Sequence, residues 1–216
     1  MGEDSKTRKL TRKEREYLAR RNEILDTALK LFSQKGYHQT SMSEIAKESE
    51  FSIGSLYSFF KSKEDLFFNL FKRSIEDVEE LVNGALARAK DARQKLELLV
   101  EVLFEYFEKK WEAFHIFALN RQSFDWTLKE DLGEIIRAKH LEFIGTLSQI
   151  LEEGIKEGIF KPFRPEEMAL AFIGLINGSI FLWIEKGRKY SLRERKDVIL
   201  EIFYHGIEKF SGRNKK

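Results

Sequence analysis

Two short stretches near the amino terminus determine the architecture of this chain: Thr40-Ser-Met-Ser-Glu-Ile-Ala46 and Ser52-Ile-Gly-Ser-Leu-Tyr-Ser-Phe-Phe-Lys-Ser-Lys-Glu-Asp-Leu66. In the first stretch either hydroxyl residue at positions 40–41 can cap a short helix, and Ser41 with Glu44 has the spacing of a capping box. In the second, the leading serine caps another short helix that ends near Phe60, after a tight turn at residues 50–51. Two short helices joined by such a turn are typical of a helix-turn-helix.

The segments on either side complete a small helical unit. An apolar stripe at helical spacing predicts a first helix from Thr11 to Lys35, which Gly36 ends. A fourth helix is predicted to begin at Ser62. Residues 1–21 contain eight basic and four acidic side chains, and this local excess suits a polyanionic partner. A solvated tail is the alternative interpretation of the same charges.

These stretches, together with Ile24-Leu-Asp-Thr-Ala-Leu-Lys-Leu-Phe32 and Gly36-Tyr37, resemble the signature of the TetR family of transcriptional regulators. The resemblance extends over residues 22–71. It implies an all-α fold, with an N-terminal three-helix helix-turn-helix DNA-binding domain and basic arm at residues 1–66 and a C-terminal helical ligand-binding and dimerisation domain at residues 67–216. It further implies a repressor that binds a palindromic double-stranded DNA operator as a homodimer and is released by a small molecule.

The amino end of the third helix is the predicted reading surface for DNA. A helix in the major groove brings its amino end close to the bases, and Gly54 lets the backbone approach. Ser55 can bond to a base edge, whereas Ile53 can only meet a thymine methyl group. By resemblance to the family, Tyr57 and Lys63 contact backbone phosphates. The predicted DNA contacts are Thr40, Ser41, Ser52, Ile53, Gly54, Ser55, Tyr57, Phe59 and Lys63.

Two positions depart from the family pattern. The turn position that is usually glycine is Glu50, and a left-handed backbone there costs about 1 kcal/mol. Phe59 stands where the family often has tyrosine or histidine, so a polar phosphate contact is lost or is replaced by apolar packing against a sugar. Taken singly, Thr40 and Ser41 can be simple helix caps and Tyr57 a core aromatic, but together at family spacing they favour DNA contact.

The remaining two thirds of the chain are predicted to form long helices that are rich in aromatic residues. Helices are expected at residues 92–110, 111–119, 128–156, 165–185 and 192–210. Many rings belong to the core, but their excess, beside a few polar groups, also suits an apolar effector cavity. The first expected effector is a fatty acyl thioester, and the second is an aromatic or lipophilic cationic compound. The predicted pocket residues are Phe104, Phe107, Trp111, Phe114, Phe117, Arg121, Phe143, Phe172 and Asn177.

The last two helices are predicted to form the dimer interface. Small residues recur along one of them and both carry broad apolar faces, although these faces could instead belong to the core of each protomer. Two-fold symmetry doubles the specificity that one recognition helix provides. The predicted interface residues are Gly174, Gly178, Ile199 and Phe203.

The composition excludes several other classes of protein. The chain has no cysteine, which excludes disulfides, zinc fingers and thiol nucleophiles and suits a reducing cytoplasm. Its four histidines share no ligand or triad spacing, so we expect no catalytic residue, metal site or cofactor. A helical enzyme, or a scaffold with incidental nucleic-acid affinity, is the alternative function. The amino terminus lacks the apolar core of a signal peptide, and the longest apolar run, residues 168–184, is interrupted by Asn177 and glycines, so no membrane segment is expected.

Overall fold

The computed structural model describes residues 10–112 and 129–207, which form eight α-helices and one 3₁₀ turn. The predicted all-α fold is confirmed. The described residues divide into two compact units, one up to Lys72 and one from Arg73. This boundary lies within the fourth helix, later than the predicted boundary after residue 66. The helices are α1 (Arg12–Lys35), α2 (Met42–Glu48), α3 (Ile53–Phe59), α4 (Lys63–Arg88), α5 (Ala92–Lys109), α6 (Lys129–Lys156), α7 (Pro165–Glu185) and α8 (Lys196–Ile207), and the 3₁₀ turn Leu192–Arg195 precedes α8.

Hydroxyl side chains begin the helices of the first unit. Thr11 Oγ1 accepts from the Glu14 amide at 3.2 Å, and Ser41 Oγ accepts from the Glu44 amide at 3.2 Å. Ser52 caps α3 in the same way, through the Ser55 amide at 3.1 Å. Each bond satisfies an amide that has no partner within its helix, so the helix starts follow from local sequence.

The turn between α2 and α3 contains a residue in an unfavourable conformation. Glu50 has a φ of 58°, in the left-handed region that glycine adopts without strain. The neighbouring Phe51 amide donates to the Ala46 carbonyl at 2.9 Å, which closes the turn. The expected left-handed conformation at Glu50 is therefore confirmed.

The core of the first unit contains a group of aromatic side chains among aliphatic ones. Phe32, Phe60 and Phe67 are almost completely buried, and the Phe32 and Phe67 rings meet edge to face with centroids 5.4 Å apart. Leu56 and Phe60 face inward as their four-residue spacing predicts. Burial of each large side chain contributes about 1.5–3 kcal/mol, and these contacts hold the short α3 in place.

The core of the second unit is formed by α5, α6, α7 and α8. Phe104, Phe172 and Trp183 lie within it, and the Phe172 and Phe203 ring centroids are 4.8 Å apart. Gly154 of α6 lies directly against the buried ring of Phe160, so that a β-carbon at this position would overlap the ring. This glycine permits the close packing, a role that no sequence pattern indicated.

A turn anchored to α5 replaces the start of the last predicted helix. The predicted helix at residues 192–210 begins instead as the 3₁₀ turn, and residues 208–210 lie outside the described range. The Glu108 carboxylate accepts from the Ser191 hydroxyl at 2.7 Å and from the Leu192 amide. The Trp183 indole donates to the Tyr190 carbonyl at 2.6 Å. The α7–α8 connection is therefore held by Trp183 of α7 and by Glu108, which is more than 80 residues away in sequence.

Length and composition alone would allow α7 to cross a membrane, and 39% of its most apolar stretch is buried. The inward residues of α7, among them Met168, Phe172 and Trp183, belong to the core of the second unit. Core helices commonly have this composition, and one such helix does not indicate a membrane protein.

Candidate nucleic-acid interface

The amino end of α3, the predicted DNA-reading surface, is accessible. Ser52 and Gly54 are exposed, and Ile53 keeps 42% of its surface accessible. A β-carbon placed on Gly54 would meet no atom within 4 Å. The backbone at this point can therefore come close to an external surface, as the groove of a duplex requires.

Two serines at this end of α3 form a hydroxyl pair. The Ser52 and Ser55 Oγ atoms are 2.9 Å apart, and Ser52 also caps the helix. One hydroxyl hydrogen bridges the pair, so the other hydrogen stays available for a base or a phosphate. Ser55 is half-buried, and Ser52 is the more accessible member of the pair.

The two aromatic residues of α3 have different environments. Tyr57 is 51% exposed and lies four residues after Ile53, hence on the same helix face. Phe59 is half-buried, stacks on Tyr17 of α1 with centroids 4.9 Å apart, and meets Phe51 edge to face at 6.1 Å. Tyr57 can thus reach an external phosphate, whereas Phe59 packs α3 against α1.

The structure corrects the role predicted for Thr40. Its side chain is only 1% exposed, and its hydroxyl donates to the Gly36 carbonyl at 2.9 Å. A side chain in this position cannot reach a phosphate, so the predicted phosphate contact by Thr40 is wrong. The neighbouring Ser41 is exposed and caps α2.

The Lys63 ammonium bonds to the protein's own backbone. Its Nζ donates to the carbonyl of Tyr37 at 3.0 Å and to that of Thr40 at 3.1 Å. The same nitrogen lies 4.3 Å from the centre of the Tyr37 ring. Two of the three ammonium hydrogens are therefore engaged, an arrangement that the sequence did not reveal.

A buried tyrosine and an acidic side chain extend this contact. The Tyr37 hydroxyl donates to Glu64 Oε1 at 2.9 Å. Burial raises the pKa of Tyr37 above its usual value, and the neighbouring Glu64 raises it further. The pKa of Glu64 is lowered, first by its own backbone amide and then by the hydroxyls of Ser62 and Tyr37. At neutral pH the tyrosine is therefore neutral and the glutamate charged.

Arg21, in the described part of the basic arm, contacts α4 and the core. Arg21 Nη2 donates to Asn69 Oδ1 at 2.6 Å, and its guanidinium lies 5.0 Å from the centre of the Phe60 ring. By contrast, Lys13 and Arg20 are exposed. The positive charge that α1 can offer to a polyanion therefore resides mainly in its outward residues.

Two family profiles match this chain. A profile of bacterial regulatory proteins of the tetR family matches residues 24–70, and a profile of the C-terminal region of YsiA-like proteins matches residues 71–206. The chain belongs to the tetR family of bacterial regulatory proteins. The family predicted from the sequence is confirmed.

Relatives of this tetR-family chain are transcriptional regulators rather than enzymes. The fatty acid metabolism regulator protein of Bacillus subtilis is 27% identical over 86% of this chain and 94% of its own length. The transcriptional repressor KstR2 of Rhodococcus jostii is 27% identical over 87% of this chain and 91% of its own. The structure of the regulator FadR from Bacillus subtilis in complex with stearoyl-CoA superimposes with a TM-score of 0.74, at 27% identity over 87% of this chain and 99% of that one.

Several predicted pocket residues of the tetR-family chain belong to the core. Phe104 and Phe172 are fully buried, while Phe107, Trp111 and Phe143 are partly buried and pack against the core cluster. Asn177 is exposed on α7, so its side chain does not line an interior pocket as predicted. The predicted pocket residues Phe114, Phe117 and Arg121 lie outside the described residues.

The predicted dimer residues divide into two groups. Gly174 and Gly178 are exposed on α7, and a β-carbon on either would meet nothing within 4 Å. Ile199 and Phe203 are only 3% and 4% exposed and belong to the core. The exposed apolar residues of α8 are instead Val198 and Ile202.

A groove of about 520 Å³ lies along this face, between α7 and α8. Gly174 and Gly206 leave space along it, and Leu175 and Ile202 form apolar parts of its wall. An apolar groove with glycines can accept side chains from another apolar surface. Its full lining is Phe163, Glu167, Met168, Ala171, Gly174, Leu175, Ile202, Phe203, Gly206 and Ile207.

Proposed function

We propose that this tetR-family protein is a homodimeric repressor that binds a near-palindromic operator and releases it when a long-chain fatty acyl thioester binds. The observation that carries the DNA-binding part is the exposed amino end of α3, with open space above Gly54. A recognition helix needs an accessible amino end, because its first residues contact base edges while adjacent groups contact phosphates.

The proposed contacts follow from accessibility. Ile53 meets a thymine methyl group, and the Ser52–Ser55 pair bonds to a base edge or an adjacent phosphate. Tyr57 and Ser41, both exposed, bond to phosphates. The phosphate contacts position the protein on the duplex, and the base contacts of Ile53 and the serine pair give it sequence preference.

The exposed face of α7 and α8 supports a dimer. Large apolar side chains that are about half exposed recur on it: Leu170, Phe181, Leu182, Val198 and Ile202. A group of exposed large apolar side chains commonly marks an interface between proteins. Together with the open positions at Gly174 and Gly178, it suits close packing of two helices from each protomer around a two-fold axis.

The thioester effector is supported by the relatives and by the partly buried rings. A relative of similar length binds stearoyl-CoA, and Phe107, Trp111 and Phe143 present incompletely buried aromatic surface in the second unit. We infer that the effector displaces α4, whose residues to Lys72 belong to the first unit and whose remainder belongs to the second.

One contact favours a lipophilic cation as the second candidate effector. The Arg188 guanidinium lies 3.7 Å from the centre of the Trp111 ring, so this ring already accepts a positive charge on its face. A quaternary or aromatic cation that displaces Arg188 would use the same surface.

The test is a footprint on the DNA that precedes the gene, followed by titration with effectors. We expect one protected near-palindromic site, released by stearoyl-CoA but not by coenzyme A or by stearate at equal concentration. To move the protein from mostly bound to mostly free, the effector must prefer the released state by about 5 kcal/mol. Protection of DNA regardless of its sequence would contradict the proposed role as a regulator. Release by a lipophilic cationic dye, but not by stearoyl-CoA, would favour the cation over the thioester as the effector.

A further inference from the structure

We propose that Lys63 is a positioning residue, which fastens residues 37–40 to the first turn of α4, and that it does not bind phosphate. This inference rests on the proposed DNA-binding function and concerns how the first unit is held ready for it. The observation that motivates it is the pair of hydrogen bonds from the Lys63 ammonium to the Tyr37 and Thr40 carbonyls.

The fastened segment joins α1 to α2 and has little regular structure of its own. Its one backbone hydrogen bond, from the Thr40 amide to the Tyr37 carbonyl, is long at 3.4 Å. Side chains supply the other bonds, because the Thr40 hydroxyl donates to the Gly36 carbonyl at 2.9 Å and Lys63 donates to the two carbonyls. Removal of Lys63 leaves these carbonyls without their charged donor.

Tyr37 is held by α4 at three places. Its carbonyl and the face of its ring contact the Lys63 ammonium. Its hydroxyl donates to Glu64, and its ring meets the Phe67 ring with centroids 4.8 Å apart. Tyr37 is only 5% exposed and Thr40 only 1%, so both ends of the segment are packed within the first unit.

The fastened segment leads directly into Ser41, the exposed cap of α2. The position of residues 37–40 therefore determines where Ser41 lies relative to α3. The Lys63 ammonium keeps one free hydrogen, but two carbonyls and an aromatic face fix its position. It cannot move outward toward a phosphate without releasing the segment that it holds. The geometry favours transmission of a movement of α4 to Ser41 over a direct contact with DNA.

Salt dependence of DNA binding separates the two roles. A lysine that binds phosphate releases a counterion, so its loss lowers the slope of log affinity against log salt by about 0.9 per contact. We expect Lys63→Met to weaken binding to the DNA that precedes the gene by about tenfold with an unchanged slope. Lys30→Met, which removes the same charge from an exposed position on α1, is the matched control. A slope lowered in Lys63→Met but not in the control would overturn the proposal.

Hydrogen exchange tests the fastening without DNA. In the free protein, amides at residues 38–42 should exchange faster in Lys63→Met than in the unaltered chain, while those of α7 stay unchanged. Unchanged exchange at residues 38–42 would overturn the proposal. If Lys63→Met does not fold, as judged by circular dichroism, Lys63→Gln takes its place in the salt titration, because it removes the charge and keeps a polar donor for the two carbonyls. Unaltered protein that binds no duplex would refute the proposed function as well, whereas the lowered slope would refute the role of Lys63 alone.

Discussion

Helices α3 and α7 both expose glycines above which a side chain would find open space, yet their surroundings are chemically opposite. Beside Gly54 lie the hydroxyls of Ser52 and Ser55 and the exposed Tyr57. Beside Gly174 and Gly178 lie exposed leucine and phenylalanine side chains. An open glycine shows only that an external surface can approach closely, and its neighbours indicate whether that surface is a hydrated polyanion or another apolar helix.

The two helices also differ in how they are stabilised. α3 has seven residues, too few to be stable alone, and it depends on the burial of Leu56 and Phe60. α7 has 21 residues and buries one whole side in a larger core. Substitutions on the exposed side of either helix should therefore test binding rather than folding, and the following variants examine that difference.

The largest effect is expected from Gly54→Leu. The leucine meets nothing within the protein and improves helix propensity by up to about 1 kcal/mol, but it blocks close approach to a base edge. Specific DNA binding should fall to the non-specific level, about a thousandfold or more, with unchanged circular dichroism. Gly84→Leu, at an equally open position on α4, should bind normally. If folded Gly54→Leu protein kept full affinity for its operator, α3 would not contact DNA as proposed.

The next largest effect is expected at Gly154, which has no space for a side chain. A β-carbon there would overlap the Phe160 ring, so Gly154→Ala overpacks the core and should lower the free energy of unfolding by about 1–3 kcal/mol. Gly145→Ala on the same helix has open space and should raise it by about 0.5–1 kcal/mol. Urea denaturation measures both. Equal effects of the two substitutions would show that Phe160 can move aside.

Gly174→Phe tests the exposed apolar face of α7. The ring finds open space in the protomer but obstructs close approach of a second copy, so the dimer should dissociate about tenfold more readily. Analytical ultracentrifugation over a range of concentrations measures this dissociation. The control is Gly145→Phe, an exposed glycine outside the α7–α8 face. A monomer in the unaltered protein at micromolar concentration would refute the dimer.

The smallest effect concerns the acid stability of the first unit. The pKa of Glu64 is held below its ordinary value of 4.5, so the charged carboxylate stabilises the fold above that pH. This stabilisation is lost as the pH falls through the lowered pKa. Because Glu64 is exposed, it amounts to less than about 1 kcal/mol. In Glu64→Gln, the free energy of unfolding should depend less on pH in the acid range, whereas Glu48→Gln should leave this dependence unchanged. Hydrogen exchange of the α2 amides measures the stability of the unit at each pH.

Features determined by neighbouring residues could be predicted from the sequence. The caps at Thr11, Ser41 and Ser52 and the inward pair Leu56 and Phe60 depend on spacings of three or four residues. Those spacings are visible in the chain itself. The start of each helix in the first unit and the exposed amino end of α3 therefore followed from local pattern.

Features that join distant residues could not be predicted. Lys63 bonds to the carbonyls of Tyr37 and Thr40 across 26 and 23 residues, and no residue near Gly154 indicates that the Phe160 ring packs against it. The burial of Ile199 and Phe203 within the protomer could not be predicted for a different reason. Consecutive apolar residues on α8 leave the phase of the buried stripe undetermined, and only packing against Phe172 decides it.

The left-handed backbone at Glu50 has a practical consequence for anyone who would build a biosensor from this chain. An asparagine tolerates this conformation more readily than a glutamate, and the position belongs to neither α3 nor α7. Glu50→Asn should therefore make the protein more heat-resistant by a modest increment, of the order of 1 kcal/mol at most. It offers a starting point for directed evolution, since added stability lets a regulator tolerate the destabilising substitutions that a new ligand specificity demands.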